Sequence, residues 1–178
     1  MADMKFKFTI QDYQTEAVES VVKVFAEQPF QDKISYRRDV GNEVAQGALF
    51  NKADDFYLDM GFANAPIVLA SHQLLKNIQD VQNDNNIKVS SSLAKHMGAC
   101  SLDVEMETGT GKTYVYIKTM FELNKQYGWS KFIVVVPSIA IREGVQKSFQ
   151  MMQDHFMEQY GKKARFFVYN SGFVKLSV

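Results

Sequence analysis

The residues best suited to chemistry lie in one stretch, DVEMETGTGKTYVYIK, at residues 103–118. Gly109 and Gly111 leave the backbone bare enough to curl and to point its N–H groups inward. Lys112 adds a fixed cation, and a helix beginning at Thr113 would direct its free N–H groups and positive dipole end to the same place. Together these groups are suited to binding a phosphate.

The spacing matches the phosphate-binding loop pattern G-x-x-x-x-G-K-[ST], except that Met106 replaces the first glycine. We expect the loop backbone to surround the phosphates, through Thr108, Gly109, Thr110 and Gly111. Lys112 would neutralise the β- and γ-phosphates, and the Thr113 hydroxyl would complete the coordination of Mg²⁺. The alternative is a glycine-rich turn beside a surface lysine.

The elements around this loop predict an α/β fold with a parallel sheet and flanking helices. Residues 102–107 (LDVEME) have the pattern of a short strand, and residues 113–124 that of a helix. Residues 131–137 (KFIVVVP) are a β-branched run that ends at a proline, as in a strand buried on both faces. A long helix at 141–156 and a strand at 164–170 (ARFFVYN) follow. This order implies parallel strands joined by right-handed crossovers.

The first half of the chain is less regular. Residues 11–25 predict an amphipathic helix, whose apolar face holds Ala17, Val18, Val21, Val22 and Phe25. Apolar residues at 74, 75, 78 and 81 predict a second helix, and residues 83–92 a polar loop. Residues 28–66 show no sustained period.

Three stretches resemble superfamily 2 helicases and translocases. METGTGKT, at residues 106–113, is similar to the ATP-binding motif of that superfamily. KFIVVVPSIAIREGV, at residues 131–145, resembles motif Ia of one branch, the restriction (Res) subunits of type III restriction-modification enzymes. TIQDYQTEAVESVVKVF, at residues 9–25, resembles the superfamily's adenine-recognition element. The resemblance implies a partial RecA-like P-loop NTPase lobe with ATP and Mg²⁺ as cofactors.

On this resemblance the chain divides into three parts. Residues 1–27 form the adenine-recognition helix region, and residues 28–100 an elaboration of the same lobe that matches no motif. Residues 101–178 hold the strand–helix core of a truncated first lobe. The acidic motif, the second lobe and a nuclease motif are missing from this sequence. We therefore expect the N-terminal part of a longer ATP-dependent DNA translocase, catalytically incomplete by itself.

The resemblance also assigns an adenine reader. Gln14 matches the family glutamine, whose amide both accepts from and donates to the adenine edge and so selects ATP over GTP. Phe8 or Tyr13 would pack on the base, and Gln11 stands where family members often carry arginine. The alternative for Gln14 is an ordinary exposed glutamine at the start of a helix.

The match to motif Ia assigns a DNA contact. Ser138 and Arg142 lie at the strand-to-helix corner that the family uses to touch the nucleic-acid backbone, with Lys147 behind them. The alternatives are a helix-capping serine and a solvated arginine.

Composition limits the possible functions. Lysine plus arginine equals aspartate plus glutamate, twenty each, so there is no overall basic signal for nucleic acid, although a local basic strip remains possible. Cys100 is the only cysteine, which excludes a secreted disulfide scaffold. No apolar run approaches the length of a membrane span, and we expect a cytoplasmic protein with no membrane partner.

The expected partners are DNA and, from the resemblance, a methyltransferase (Mod) subunit. A truncated sheet would leave an unpaired edge, which favours self-association. Two other functions fit the same sequence: a superfamily 2 DNA or RNA helicase without a nuclease, and a non-catalytic nucleotide-binding module.

Overall fold

A computed structural model describes residues 8–32, 34–37, 60–96 and 98–169. Its elements, in chain order, are α1 (Asp12–Lys23), β1 (Ile34–Arg37), β2 (Met60–Ala63), α2 (Ser71–Asp84), α3 (Lys112–Tyr127) and α4 (Ile139–Tyr160). They fall into two compact units. The larger unit spans Ile10–Val136, and the smaller unit joins residues 8–9 to the chain from Pro137 onward.

The four helices confirm the helices predicted from periodicity. The apolar face predicted for α1 is the buried one: Val18 is 1% exposed, Val22 is 4% exposed and Phe25, just beyond the helix, is 7% exposed. α2 buries Leu74 in the same way, and α3 buries Ile117. In each helix an apolar stripe at 3.6-residue spacing faces a neighbour, as amphipathic helices require.

Three aromatic rings organise the core of the larger unit. Phe25 meets Trp129 edge-on, with ring centroids 5.0 Å apart, and Tyr127 lies 5.3 Å from Trp129. The polar tips of two rings find backbone acceptors: the indole N–H of Trp129 donates to the carbonyl of Ala65, and the Tyr127 hydroxyl donates to the carbonyl of Val22, both at 3.0 Å. Each aromatic pair contributes on the order of 1 kcal/mol beyond its buried area.

Side-chain amides hold the loops around this core. Asn64 accepts hydrogen bonds from the backbone N–H groups of Ser130 and Lys131, each at 2.9 Å. The amide nitrogen of buried Asn77 donates to the carbonyls of Val24 and Ala26, each at 3.1 Å. The side chain of Gln28, which is also buried, donates to the carbonyl of Pro66 and accepts from the N–H of Val68. These contacts satisfy backbone groups that lie outside regular elements.

The parallel sheet is not confirmed. Within the described residues the paired strands are β1 and β2, which run antiparallel from Ile34 opposite Ala63 to Arg37 opposite Met60. The predicted strands at 102–107, 131–137 and 164–169 pair with no strand among the described residues, and Asn170 lies outside those residues. The local pattern indicates strand-forming residues, but a strand exists only when a neighbour accepts its backbone hydrogen bonds.

The 131–137 run nevertheless keeps the alternation of a strand. Ile133 and Val135 are 91% and 87% exposed, whereas Phe132 and Val134 are 37% and 39% exposed. Within the described residues this run has no neighbouring strand and presents exposed apolar side chains, a combination that favours pairing with another chain. The self-association expected from the sequence stays a prediction.

The smaller unit is built on α4. Phe156 and Met152 are buried on one side of this helix, at 1% and 5% exposure. Phe8 packs against His155, with ring centroids 5.0 Å apart, and Phe149 lies 5.4 Å from Phe166. No helix in the described part of the chain is both long and apolar enough to cross a membrane.

Replacing Gly128 by alanine should destabilise the larger unit strongly. Gly128 ends α3 at φ +81°, and a Cβ there would collide with the backbone carbonyl of Gln31. Gly161 ends α4 at φ +65° with open space around it, so Gly161→Ala is a matched control. We expect Gly161→Ala to cost about 1 kcal/mol for the left-handed backbone, and Gly128→Ala about 3 kcal/mol. Urea denaturation measures both, and equal costs would contradict the packing described.

Candidate nucleotide-binding site

The predicted phosphate loop folds into a turn just before α3. Gly109 and Gly111 have φ values of +84° and +87°, a region that L side chains rarely adopt. Between them, the Thr110 hydroxyl donates to the carbonyl of Glu107 at 2.7 Å. The two glycines therefore stand at the two positions where this turn needs them.

The N-terminus of α3 is open. Gly111 is its N-cap residue, and within the described residues no side chain caps it. The first helical hydrogen bond runs from the N–H of Val115 to the carbonyl of Gly111, at 3.0 Å, so the N–H groups of Lys112 and Thr113 precede it. Lys112 is exposed and Thr113 is half-buried. Two backbone donors, an ammonium and a hydroxyl thus begin the helix.

These groups fit a nucleotide phosphate and Mg²⁺. A Cβ at Gly109 would meet nothing within 4 Å, so there is open space beside the loop. Lys112 and the helix amides would hold the phosphate oxygens, and the Thr113 hydroxyl would give Mg²⁺ one oxygen ligand. In the described ranges no group of three His, Cys, Asp or Glu side chains could hold a metal ion.

The structure places Gln14 directly on the phosphate loop. Its amide nitrogen donates to the carbonyl of Thr110 at 2.9 Å, across 96 residues of sequence. Gln14 is 9% exposed, although glutamine at the start of a helix is usually solvated. The same nitrogen lies 2.5 Å from where a Cβ of Gly111 would be, so the amide occupies the space that this glycine leaves.

Tyr13 reaches the same carbonyl. Its hydroxyl donates to the carbonyl of Thr110 at 3.1 Å, and its side chain remains half-exposed. Phe8, the other aromatic candidate for base stacking, packs on His155 in the smaller unit. Stacking of either ring on a base stays a prediction.

Two polar residues on α3, Lys118 and Tyr116, were not predicted from the sequence. Lys118 is 8% exposed, and its ammonium donates to the Thr15 hydroxyl at 3.2 Å and lies 6.0 Å from the centre of the Tyr114 ring. It thus links α3 to α1 close to Gln14. Helical periodicity predicts a solvent-exposed lysine at this position. Its burial depends on how α3 packs against α1, which the sequence pattern does not specify.

The Tyr116 hydroxyl lies near Thr113. Burial raises the pKa of Tyr116, and the neighbouring Thr113 hydroxyl lowers that pKa by less. The two groups do not complete a hydrogen bond, and the Tyr116 hydroxyl has no partner within the part of the chain that the structure describes. Tyr116 therefore stays protonated at neutral pH and is available as a hydrogen-bond donor beside the candidate Mg²⁺ ligand.

The two predicted DNA-contact residues begin α4 in the smaller unit. Ser138 accepts a hydrogen bond from the N–H of Ile141 at 3.3 Å, so it caps the helix whatever else it does. Arg142 lies half-buried in the first turn, and Lys147 is exposed further along. Ser138 and Arg142 are thus neighbours at one helix end.

Gly111→Ala should displace Gln14 from the loop. The new Cβ would meet the Gln14 amide at 2.5 Å and break its hydrogen bond to Thr110. Gly109→Ala is the control, because Gly109 has nearly the same φ but open space. We expect Gly111→Ala to cost about 1 kcal/mol more than Gly109→Ala, the typical worth of one hydrogen bond.

In a Gln14→Ala background that extra cost should vanish, since no amide is left to displace. Chemical denaturation of the four single and double variants measures the difference. An extra cost that persists without the Gln14 side chain would contradict this geometry.

Comparison with known proteins identifies the family of this chain. Residues 7–167 match the family described as type III restriction enzyme, res subunit. The EcoP15I Res subunit of Escherichia coli is 40% identical over 112 residues, which are 61% of this chain and 11% of that protein. The EcoPI Res subunit of Escherichia phage P1 is 38% identical over 111 residues, with the same coverage. The StyLTI Res subunit of Salmonella typhimurium is 48% identical over 62 residues, 34% of this chain and 6% of that protein.

The chain thus spans about a tenth of the length of the first two relatives. The family match implies a RecA-like helicase fold for this helicase-like region. It covers all three stretches that resemble superfamily 2 helicases, at residues 9–25, 106–113 and 131–145. The chain belongs to the Res-subunit family of type III restriction enzymes.

Proposed function

We propose that this chain forms the ATP-binding part of the motor lobe of a type III restriction enzyme. The observation that carries the proposal is the hydrogen bond from Gln14 to the carbonyl of Thr110. It joins a candidate base reader on α1 to the phosphate loop before α3, so that one site offers groups for both ends of a nucleotide.

In this site Lys112 and the first amides of α3 hold the phosphates. Thr113 places its hydroxyl for Mg²⁺, which neutralises charge on the β- and γ-phosphates when bound. Gln14 turns its amide to the base. A carboxamide accepts and donates side by side, which matches the amino group and ring nitrogen of adenine, whereas guanine carries a carbonyl oxygen in place of that amino group. The loop residues Thr108, Gly109, Thr110 and Gly111 complete the phosphate cradle.

By itself the chain binds ATP and does not turn it over. Its proposed site residues hold phosphate and base, and none of them is an acid or base that could activate the attacking water. In the whole enzyme, we propose that ATP hydrolysis drives movement on DNA, that the enzyme cleaves DNA, and that a methyltransferase (Mod) subunit is its partner. The cytoplasm is the compartment that such a role requires.

The N-terminus of α4 is the proposed DNA contact. Ser138 offers a hydroxyl and Arg142 a guanidinium at one helix end, and both groups suit the phosphate backbone of DNA. Contacts of this kind fix the position of the protein on DNA without reading its sequence.

Isothermal calorimetry tests nucleotide binding. We expect Mg-ATP to bind with a Kd of roughly 10 μM to 1 mM, and Mg-GTP to bind more weakly. Lys112→Ala should abolish binding, because it removes the cation at the phosphates. Lys125→Ala is the matched control, since Lys125 is an exposed lysine in the last turn of the same helix. A folded chain that binds no ATP, or a Lys112→Ala variant that binds normally, would contradict the proposal.

Fluorescence anisotropy with a labelled DNA duplex tests the second contact. Arg142→Gln should weaken binding and lower the slope of log K against log salt by about one, because one phosphate contact is lost. Arg165→Gln removes the same charge from an exposed position in the same unit and should leave the slope unchanged. Equal effects of the two substitutions would count against a specific role for Arg142.

A further inference from the structure

Two side chains donate to one backbone carbonyl in the phosphate loop. The Tyr13 hydroxyl reaches the carbonyl of Thr110 at 3.1 Å, and the Gln14 amide nitrogen reaches it at 2.9 Å. Both donors come from the first turn of α1, and the acceptor lies between the two glycines with positive φ. A backbone carbonyl has two lone pairs, so it can accept both hydrogen bonds at once.

The direction of this carbonyl matters for phosphate binding. A trans peptide is planar, and its C=O and N–H groups point in opposite directions. Holding the carbonyl of Thr110 towards α1 therefore turns the N–H of Gly111 away from α1. That N–H belongs to the loop that would surround the phosphates, so the donors on Thr110 fix the orientation of a phosphate-binding amide.

Gln14 cannot keep its present contacts and also read a base. Its amide nitrogen carries two hydrogens, one directed at the carbonyl of Thr110 and the other towards the Tyr13 hydroxyl at 3.5 Å. Donating to an adenine requires the release of at least one of these contacts. If the amide nitrogen releases the carbonyl of Thr110 rather than the Tyr13 hydroxyl, the Tyr13 hydroxyl still donates to that carbonyl.

We propose that Tyr13 is a positioning residue that holds the carbonyl of Thr110 while Gln14 turns to adenine. This inference rests on the proposed ATP site and adds the group that keeps the phosphate loop in place when the base is read. Tyr13 suits the role because its hydroxyl already makes the contact and its ring is half-exposed, outside the packed core.

The substitution Tyr13→Phe removes only the hydroxyl. With Mg-ATP, Gln14 is occupied by the base, so the carbonyl loses its remaining donor and the Kd should rise about fivefold, the typical effect of one hydrogen bond. With Mg²⁺ and inorganic tripolyphosphate there is no base, Gln14 stays on Thr110, and the Kd should not change. Calorimetry on the whole chain measures both.

Tyr127→Phe is the matched control. Tyr127 also donates its hydroxyl to a backbone carbonyl, that of Val22, at 3.0 Å in the core of the same unit. This variant should bind both ligands like the wild type. Equal weakening of ATP and tripolyphosphate by Tyr13→Phe, or unchanged ATP binding, would overturn the inference. A wild-type chain that binds no ATP would overturn the proposed function itself, and this inference with it.

Thermal denaturation without nucleotide provides a second, independent measurement. Either donor alone keeps the carbonyl of Thr110 paired, so Tyr13→Phe and Gln14→Ala should each lower the Tm slightly. The double variant leaves the carbonyl without either donor, and its Tm should fall by more than the sum of the single effects. Strictly additive effects would show that the two side chains do not share this acceptor, and would overturn the inference.

Discussion

The orientation of one peptide, between Thr110 and Gly111, is the constraint on which the candidate site depends. Its carbonyl is held by two donors from α1. Its N–H therefore points away from α1. Because residues 109 and 111 both have positive φ, a loop with other residues at these positions would be strained. A hydrogen bond between distant parts of the sequence thus sets the geometry of a local motif.

Helix packing keeps these donors in place. α1 lies against α3, with Val18 and Val22 in the same core as Val115 and Leu123. The buried Lys118–Thr15 hydrogen bond joins the two helices close to Gln14. The Tyr127 hydroxyl makes a further contact near the end of α1.

The sequence predicts the local part of this structure well and the non-local part poorly. The predicted helix bounds differ from the observed ones by one to four residues, because an apolar stripe and a glycine stop are local signals: 113–124 becomes Lys112–Tyr127, and 141–156 becomes Ile139–Tyr160. The glycines of the phosphate loop were recognisable for the same reason. The strands were not predictable, because pairing needs a partner that the pattern of residues 131–137 does not specify.

The candidate site also divides into residues that local patterns predict and residues that depend on tertiary contacts. Spacing identifies Lys112 and Thr113, whereas Gln14 was connected to them only through the resemblance to a family. No periodic pattern could show that its amide contacts a loop 96 residues away, or that Tyr13 shares the acceptor. The burial of Lys118 could not be predicted, because the solvent exposure of a helix face depends on which elements pack against it. Residues that act through tertiary contacts are therefore the ones that a structure adds.

The most direct test of the account follows the Gln14 side-chain amide by NMR in the nitrogen-labelled chain. Its signals can be assigned by their loss in a Gln14→Ala variant. We expect these signals to shift strongly when Mg-ATP saturates the site, because the amide leaves Thr110 for adenine, and to stay in place with Mg-tripolyphosphate. Gln14 signals that do not move at saturating ATP would contradict a site in which this amide contacts Thr110 without nucleotide and adenine when ATP is bound.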